Sequence, residues 1–218
     1  MKYKACIFDF DLTLADSTKG IFKCYKQTLE KFGYPVPSDE EIFKTIGYTL
    51  LDGMDMLTGI KNNPQREKMK NAYVKYADDC MVKETVFFDD SLAILQILQT
   101  AGIKVGIVST KLKYRIVDTF KDKTSSIPVD EIIGYGEVSS AKPDPEGLNL
   151  MVEKLKVDKA DVLYIGDSHI DAQTAVNAGV DFAGVTTGTA TKQVFEKYPH
   201  VCIAGSLTEL FTSIWIYT

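Results

Sequence analysis

Three aspartates stand at the ends of apolar runs, where a strand would deliver them to a binding site. Asp9 and Asp11 follow the run at residues 3–8, and Asp167 follows the run at residues 162–165. If folding brings these carboxylates together, they repel one another and shift one another's pKa values. A divalent cation would remove that conflict, and a set of oxygen ligands favours Mg²⁺ over zinc. The pattern therefore predicts a magnesium site.

Hydroxyl and ammonium groups occupy comparable positions elsewhere in the chain. Ser109 and Thr110 follow another apolar run, and Lys142 lies in a loop that contains two prolines. A hydroxyl with neighbouring backbone N–H groups and a lysine charge suit a phosphoryl group, which Mg²⁺ also attracts. Of Asp9 and Asp11, one carboxylate can then attack phosphorus, while the other protonates the leaving group and later activates water. We therefore predict a phosphoryl-transfer site, where positioning and charge neutralisation dominate.

The elements that position these residues alternate between strands and helices. Strands are predicted at residues 3–8, 104–108, 131–133, 162–165, 182–186 and 200–204. Helices are predicted at residues 91–100, 113–120, 144–155 and 192–197, in a segment that ends at Gly179, and at the C-terminus. In the helix at 144–155, Asp144 is expected to be the N-cap and Pro145 the first helical residue. This order indicates an α/β fold, a Rossmann-like parallel sheet sandwiched by helices. The carboxyl ends of its strands would form the binding edge.

The segment after the first strand is helical throughout. Ile21, Tyr25, Leu29 and Phe32 recur at helical spacing before the stop signal Gly33. Further helices are predicted at residues 39–45, 50–57 and 65–81. This segment is too long for a simple crossover, so we predict an inserted α-helical cap domain. Its expected bounds are residues 15–85, with a core of residues 1–14 and 86–218 and hinges near 14–16 and 85–88.

Composition narrows the class of protein. The chain has 218 residues, 45% of them hydrophobic, and a formal net charge of −5. No basic stripe indicates a nucleic-acid partner, and no apolar run approaches the ~20 residues of a membrane span. The four cysteines form no CxxC pair, which argues against zinc, and no signal peptide is recognisable. We expect a cytoplasmic protein with neither nucleic-acid nor membrane partners.

Taken together, these motifs resemble those of the haloacid dehalogenase superfamily. The run D-F-D-L-T at residues 9–13 matches the pattern D-x-D-x-T, and Ser109 matches the hydroxyl that ends the second core strand. Lys142 in A-K-P-D-P matches the third motif, and G-D-S-H-I-D, ending at Asp171, matches the fourth. The resemblance covers essentially the whole chain and implies a core with a C1 helical cap, most similar to phosphoglycolate phosphatases.

The resemblance also implies roles for the acidic residues. Asp9 would be the nucleophile and a ligand of Mg²⁺, and Asp167 would bind the metal directly. Asp11 would be the general acid and base, and would touch the metal through its backbone carbonyl. Because Asp11 is present, phosphate chemistry is favoured over halide displacement. Leu12 departs from the many relatives that have glycine at that position.

The remaining site residues are expected to bind the phosphate or to orient other side chains of the site. Ser109, Thr110 and Lys142 would bind the phosphate, and Ser109 and Lys142 would count among the catalytic residues. Thr13 would orient the acid/base aspartate. Asp171 would support either the metal shell or Lys142.

Other polar residues receive plainer interpretations. Asp16 and Ser17 are expected to cap the first cap helix. For Lys111, steering of an anionic substrate and a surface position both stay open. His169 is expected to be a neighbour of the site or a surface residue, and Arg115 a surface residue.

The sequence thus predicts a Mg²⁺-dependent phosphatase that hydrolyses a small phosphomonoester through an aspartyl-phosphate. Its partner would be a small phosphorylated metabolite, phosphoglycolate-like or a sugar phosphate, and the chain would be a monomer or dimer. A phosphomutase similar to β-phosphoglucomutase and an inorganic pyrophosphatase stay open as alternatives. A receiver-like phospho-acceptor module is less favoured, because a receiver needs no cap. A silent binding protein is disfavoured by the full set of motif residues.

Overall fold

The computed structural model describes residues 2–216. The strands are β1 (Ala5–Phe8), β2 (Ala15–Asp16), β3 (Val86–Phe87), β4 (Lys104–Val108), β5 (Glu131–Ile133), β6 (Val162–Gly166), β7 (Asp181–Val185) and β8 (Cys202–Ala204). The helices are α1 (Thr18–Lys31), α2 (Asp39–Phe43), α3 (Leu50–Thr58), α4 (Arg66–Glu84), α5 (Ser91–Thr100), α6 (Lys113–Lys123), α7 (Glu146–Leu155), α8 (His169–Ala178), α9 (Lys192–Phe195) and α10 (Leu207–Ile216). A short 3₁₀ turn covers Lys159–Asp161.

Six strands form one parallel sheet in the order β5-β4-β1-β6-β7-β8. The first strand is central, with β4 on one side and β6 on the other. The chain builds outward from β1 in both directions, so the topological switch point lies beside β1. In sheets of this kind the crevice at the switch point is where ligands bind. The predicted fold class is confirmed.

The sheet is covered on both faces. In β1, Cys6 and Phe8 join one hydrophobic cluster, while Ala5 and Ile7 join the cluster on the opposite face. This alternation is the pleat of a strand. Because both faces are buried, the strand reads as a continuous apolar run. A rigid central strand of this kind fixes the position of the residue that follows it.

Helices α1 to α4 form the insertion after β1 and pack on a hydrophobic cluster of their own. Leu29, Ile42, Met54 and Met69 are fully buried in it. The chain enters through β2 and leaves through β3, which pair antiparallel, with Ala15 opposite Phe87. This pair lies within the two segments expected to be hinges, although two-residue strands gave no periodicity to predict it. The domain bounds and the hinge motion stay predictions.

Two predicted helix starts are wrong by one residue: α4 begins at Arg66 rather than Gln65, and α7 at Glu146 rather than Pro145. Pro145 is the N-cap of α7, and the helix begins at Glu146. Asp144 stands one position further out, and its Oδ1 accepts the N–H of Glu146 at 2.9 Å. Of the helices in residues 2–216, none combines the length and the apolar character needed to cross a bilayer.

Candidate active site

Three adjacent strands deliver the central polar residues to one edge of the sheet. Asp9 follows β1, Ser109 follows β4 and Asp167 follows β6. The strand ladders continue into this edge, because the Asp9 N–H donates to the Ile165 carbonyl at 2.9 Å and the Ser109 N–H donates to the Ile133 carbonyl at 3.0 Å. The convergence expected from the sequence is therefore present.

A tight turn after β1 separates Asp11 from Thr13. The N–H groups of Leu14 and Ala15 donate to the Phe10 carbonyl, and Leu12 lies in the left-handed region with φ of 61°. That conformation costs an L-residue roughly 1–2 kcal/mol, which explains why glycine suits this position. Leu12 offsets the cost by burying its side chain in the hydrophobic cluster of the cap helices.

Lys142 is the centre of a buried charge network. Its Nζ lies 2.6 Å from Asp171 Oδ1 and 3.2 Å from Asp9 Oδ1, and it donates to the Tyr164 hydroxyl at 3.1 Å. The Tyr164 hydroxyl in turn donates to Asp171 Oδ1 at 2.8 Å. Burial alone would lower the pKa of Lys142, but the carboxylates of Asp171 and Asp9 raise it above its usual value. The lysine is therefore charged and held in place.

Asp171 is held from its own helix as well. It is the third residue of α8, where its Oδ2 accepts the N–H and the hydroxyl of Ser168 at 3.1 and 2.5 Å, in a capping box. Gly166 allows this approach, because a Cβ there would overlap the Asp171 side chain. Burial raises the pKa of Asp171, but Lys142 and these hydrogen bonds hold it below its usual value. Both carboxylate oxygens are thus occupied, and of the two partners expected for Asp171, the metal shell or Lys142, the structure shows the contact with Lys142.

Asp167 is oriented by two loops. Thr13 Oγ1 donates to its Oδ1 at 3.2 Å, and the Thr189 N–H donates to its Oδ2 at 3.1 Å. Gly188 lets the second loop close over the carboxylate, since a Cβ there would overlap Asp167. The expectation that Thr13 orients Asp11 is therefore wrong. The turn at Leu12 directs the Thr13 hydroxyl toward β6 instead.

Asp11 is held by partners that the sequence did not assign. Lys111 Nζ lies 2.7 Å from Asp11 Oδ1, and the Ser17 hydroxyl donates to the same oxygen. Ser17 is the N-cap residue of α1, but its side chain makes no cap hydrogen bond. Asp16 caps the helix instead, because its Oδ1 accepts the N–H of Thr18 at 2.8 Å. Lys111 is buried, so a surface position is excluded.

The acidic cluster fits a metal ion. One oxygen each of Asp9, Asp167 and Asp171 lie within 4.8 Å of one another, all buried. Burial raises the pKa of Asp9 to about 6, despite the opposing charge of Lys142. Burial, together with the charges of Asp171 and Asp9, raises the pKa of Asp167 as well. Within the described part of the chain, Asp9 Oδ1 lies 3.2 Å from Lys142 Nζ but has no hydrogen bond of good geometry. A cation would satisfy this oxygen and offset the repulsion.

Asp9 and Asp167 are the carboxylates of this cluster best placed to bind a metal. Each Asp167 oxygen accepts a single hydrogen bond, whereas each Asp171 oxygen already has two polar contacts, those of Oδ1 including Lys142. The Asp11 side chain lies outside the cluster. Its expected contact with the metal, through the backbone carbonyl, stays a prediction. The charge of Asp11 is nevertheless near enough to contribute to the raised pKa of Asp9.

The residues expected to bind phosphate line one cavity. Ser109, Thr110 and Lys142 belong to the wall of a space of about 300 Å³ between the core and the start of α3. Ser109 is 7% exposed, and its hydroxyl accepts the N–H of Lys111 at 3.3 Å. The structure therefore brings the predicted hydroxyl and lysine to the same small space.

The cap helices rest directly on this edge of the core. The Thr110 hydroxyl donates to the Gly47 carbonyl at 3.4 Å, and Tyr48 Oη lies 3.3 Å from His169 Nε2. Arg115 is buried rather than at the surface, since its Nη2 donates to the Val74 carbonyl of α4 at 2.7 Å. The expectation for Arg115 is wrong because α6 packs against a helix of the cap, and the strand–helix pattern contains no information on that contact.

The profile of the haloacid dehalogenase-like hydrolase family matches residues 6–185, which include every residue of this site named above apart from Gly188 and Thr189. The chain belongs to this family. Pyrophosphatase PpaX of Listeria monocytogenes serotype 4a (strain HCC23) is 30% identical over 186 residues, covering 84% of this chain and 83% of that protein. Pyrophosphatase PpaX of Oceanobacillus iheyensis is 28% identical over 214 residues, covering 98% of both chains.

Solved structures of haloacid dehalogenase-like hydrolases match the whole architecture. One from Bacteroides fragilis is 44% identical, with a TM-score of 0.92, and the match covers 95% of this chain and 99% of that one. A structure from Lactobacillus delbrueckii subsp. bulgaricus that carries the name phosphoglycolate phosphatase is 25% identical, with a TM-score of 0.84, covering 98% and 99%. The predicted superfamily and enzyme class, a hydrolase of phosphatase type, are confirmed.

Three positioning residues of this haloacid dehalogenase-like hydrolase were missed from the sequence. Tyr164 lies in a run that is otherwise apolar, and a tyrosine in a fully buried strand needs a partner for its hydroxyl, which was a usable signal. Lys111 follows the Ser-Thr pair directly, so its place near the strand end was readable, but its contact with Asp11 was not. Ser17 gave only the signal of a helix cap.

Proposed function

We propose that this chain is a Mg²⁺-dependent phosphatase that hydrolyses a phosphomonoester through an aspartyl-phosphate on Asp9. The observation that carries the proposal is the separation of two carboxylates. Asp9 is buried beside Lys142 and Asp167, with one oxygen free of hydrogen bonds, whereas Asp11 is held apart by Lys111 and Ser17. One site thus contains a nucleophile beside a cation, with an oxygen that makes no hydrogen bond, and a separately oriented acid.

Transfer to Asp9 would use the residues around it. The phosphoryl group lies between the Asp9 carboxylate and the wall formed by Ser109 and Lys142. The charge of Lys142 and the hydroxyl of Ser109 hold its oxygens while an Asp9 oxygen forms a bond to phosphorus. The bond from phosphorus to the leaving oxygen breaks, and Asp11, which enters this step as the carboxylic acid, gives that oxygen its proton; the products are an alcohol and the Asp11 carboxylate.

Hydrolysis then reverses the role of Asp11. As a carboxylate it takes a proton from water, whose oxygen bonds to the phosphorus of the aspartyl-phosphate. The bond between phosphorus and the Asp9 oxygen breaks, which returns free carboxylate and inorganic phosphate. Lys111 and Ser17 keep the Asp11 carboxylate in one orientation through both steps.

Asp9 and Asp167 would hold the metal ion. Thr13 and Thr189 fix the orientation of Asp167, and burial of both carboxylates excludes competing water. When bound, Mg²⁺ would supply positive charge that offsets the negative charge of the transferring phosphoryl group.

The test is phosphate release from p-nitrophenyl phosphate. We expect release with Mg²⁺, loss with EDTA and recovery when Mg²⁺ is added back. Asp9→Asn should lower kcat at least about 10³-fold, because an amide is no nucleophile. Asp16→Asn is the matched control, because Asp16 only caps α1 and asparagine caps equally well. Full activity in the Asp9→Asn protein would contradict the mechanism.

Pyrophosphate is a second candidate substrate, because the relatives from Listeria and Oceanobacillus are named pyrophosphatases. Comparing kcat/KM for pyrophosphate with that for phosphomonoesters decides between them. A phosphomutase would instead return the phosphoryl group to the substrate, and isomer formation faster than phosphate release would reveal it. A small phosphorylated metabolite as partner and a cytoplasmic location are parts of the same proposal.

A further inference from the structure

A second cavity opens between the cap and the core on the side of Asp11. Its volume is about 420 Å³, and Asp11, Thr110 and Lys111 contribute to its wall. Pockets of about 300–1,000 Å³ bury whole small ligands. Because Asp11 is the proposed donor of a proton to the leaving oxygen, the group attached to that oxygen occupies this cavity. A glycolate or phosphate leaving group would fill only a small part of it.

The wall of this cavity is mainly aromatic and aliphatic. Five tyrosines contribute to it: Tyr25, Tyr48, Tyr73, Tyr114 and Tyr135. The rings of Tyr25 and Tyr73 lie 4.8 Å apart between centroids, tilted by 59°, and both side chains are buried. Aliphatic side chains, among them Ile46 and Val74, complete the wall. Such a surface gains free energy by covering apolar atoms and offers ring edges and faces to an aromatic group.

The basic side chains in the wall already have partners. Lys111 is paired with Asp11 at 2.7 Å, and Lys70 with Glu67 at 2.8 Å. Arg115 donates to the Val74 carbonyl at 2.7 Å and is paired with Asp78 at 2.8 Å. A carboxylate or second phosphate entering the cavity would lose its hydration and meet cations whose charges are already paired with carboxylates in residues 2–216. Among their donors, Arg115 Nε still has no hydrogen-bond partner there. One unpaired N–H does not offset the cost of burying another full charge.

We propose that the substrate is the phosphate monoester of an uncharged alcohol with an aromatic or bulky apolar body, which this cavity binds. This inference rests on the proposed phosphatase activity and names the leaving group for it. It departs from the pyrophosphate and phosphoglycolate indicated by the names of the relatives. Val74 becomes a specificity-determining residue, because it contributes to the wall from the middle of α4.

The test compares three esters of primary alcohols, so that the leaving groups have similar basicity. They are 3-phenylpropyl phosphate, propyl phosphate and 3-carboxypropyl phosphate, measured with Mg²⁺ beside pyrophosphate and p-nitrophenyl phosphate. We expect kcat/KM for the phenylpropyl ester to exceed that for the propyl ester by at least about tenfold, from burial of the ring. The carboxypropyl ester and pyrophosphate should be the poorer substrates.

Two matched variants tie this preference to the cavity. Val74→Phe places a larger side chain at the wall of the cavity and should lower kcat/KM for 3-phenylpropyl phosphate about tenfold. The kcat/KM for propyl phosphate should change by less than about twofold. Val82→Phe is the control, because Val82 is also half-buried on α4 but does not line the cavity. Equal losses for both esters in Val74→Phe, or the same selective loss in Val82→Phe, would overturn the assignment.

The outcomes separate the two proposals. If p-nitrophenyl phosphate is hydrolysed but the carboxypropyl ester or pyrophosphate is the best substrate, the leaving-group inference is wrong and the phosphatase stands. If no ester is hydrolysed, the phosphatase proposal is wrong. Calorimetric titration with 3-phenylpropan-1-ol then still examines the cavity: binding that Val74→Phe weakens supports an apolar ligand, and absence of binding overturns it.

Discussion

Replacing Tyr164 with phenylalanine removes one hydroxyl from the buried centre of the site and keeps the ring. That hydroxyl donates to Asp171 Oδ1 at 2.8 Å and accepts from Lys142 Nζ at 3.1 Å. Without it, the lysine keeps its contacts with Asp171 and Asp9 and its position over the ring of residue 164. Tyr164 is fully buried, so water cannot enter freely to replace the lost group.

The size of the effect follows from these contacts. A hydrogen bond to a charged group contributes about 1.5–3 kcal/mol, so the free energy of unfolding should fall by about that much in Tyr164→Phe. Looser positioning of Lys142 also affects transition-state binding. A loss of about 1.4 kcal/mol there corresponds to a tenfold drop in kcat/KM, and we expect a drop of about that size.

Urea unfolding and phosphatase kinetics measure the two effects on one protein. The matched control is Tyr3→Phe, because the Tyr3 hydroxyl also donates to a carboxylate, Asp181 Oδ2 at 2.7 Å, at the opposite end of the sheet. The control should lose some stability and keep the wild-type kcat/KM. Wild-type stability together with wild-type activity in Tyr164→Phe would refute the network described for Lys142.

Two more predictions concern other charged groups. Lys111→Met removes the buried cation 2.7 Å from Asp11. The value of kcat/KM, which reports the transfer to Asp9, should fall about 10–100-fold for an alkyl phosphate and much less for p-nitrophenyl phosphate, because nitrophenolate leaves without a proton; equal losses of kcat/KM on both substrates would contradict a role through Asp11. At the edge of the sheet, burial raises the pKa of Glu131, but its backbone hydrogen bond, Lys154 and Lys113 lower it to about 2. Because this folded-state pKa lies below the ordinary value of 4.5, Glu131 stabilises the fold above about pH 4.5, and the contribution disappears as the pH falls toward 2. Glu131→Gln should therefore lower the free energy of unfolding by about 1–2 kcal/mol at pH 7 and by less at pH 3, as measured by urea unfolding, whereas an equal loss at both pH values would contradict the cause given.

The sequence predicted the sheet well because strands buried on both faces give uninterrupted apolar runs. Residues 104–108 and 131–133 were predicted as strands with the bounds that the structure has. The short pair β2–β3 was missed, because two residues are too few for a period. The helical insertion followed from the length of chain between two core elements rather than from any motif.

For the site, the sequence likewise predicted which residues take part but not which side chains contact each other. Asp9, Ser109, Lys142 and Asp167 were predictable because each follows a strand or lies in a motif. The partner of each side chain was not predictable, since it depends on turns such as the one at Leu12, where φ is 61°. For that reason Thr13 was assigned to the wrong aspartate, and the partners of Asp11 were found only in the structure.

Similar limits apply to the cap. Its helices were readable from their periodicity, but the contacts of α4 with α6 depend on how two separate hydrophobic clusters dock. Arg115 and the tyrosines that line the cavity beside Asp11 carry no local signal of their position. The substrate therefore has to be inferred from the folded molecule.

The most direct test of the central claim is chemical trapping of the phosphorylated residue. The enzyme is mixed with p-nitrophenyl phosphate and Mg²⁺, quenched in acid within the first turnover and reduced with borohydride, which converts an aspartyl-phosphate to homoserine. Peptide mapping by mass spectrometry should then find homoserine at position 9, and none in the Asp9→Asn protein. Homoserine at another aspartate, or none anywhere while turnover proceeds, would contradict the account.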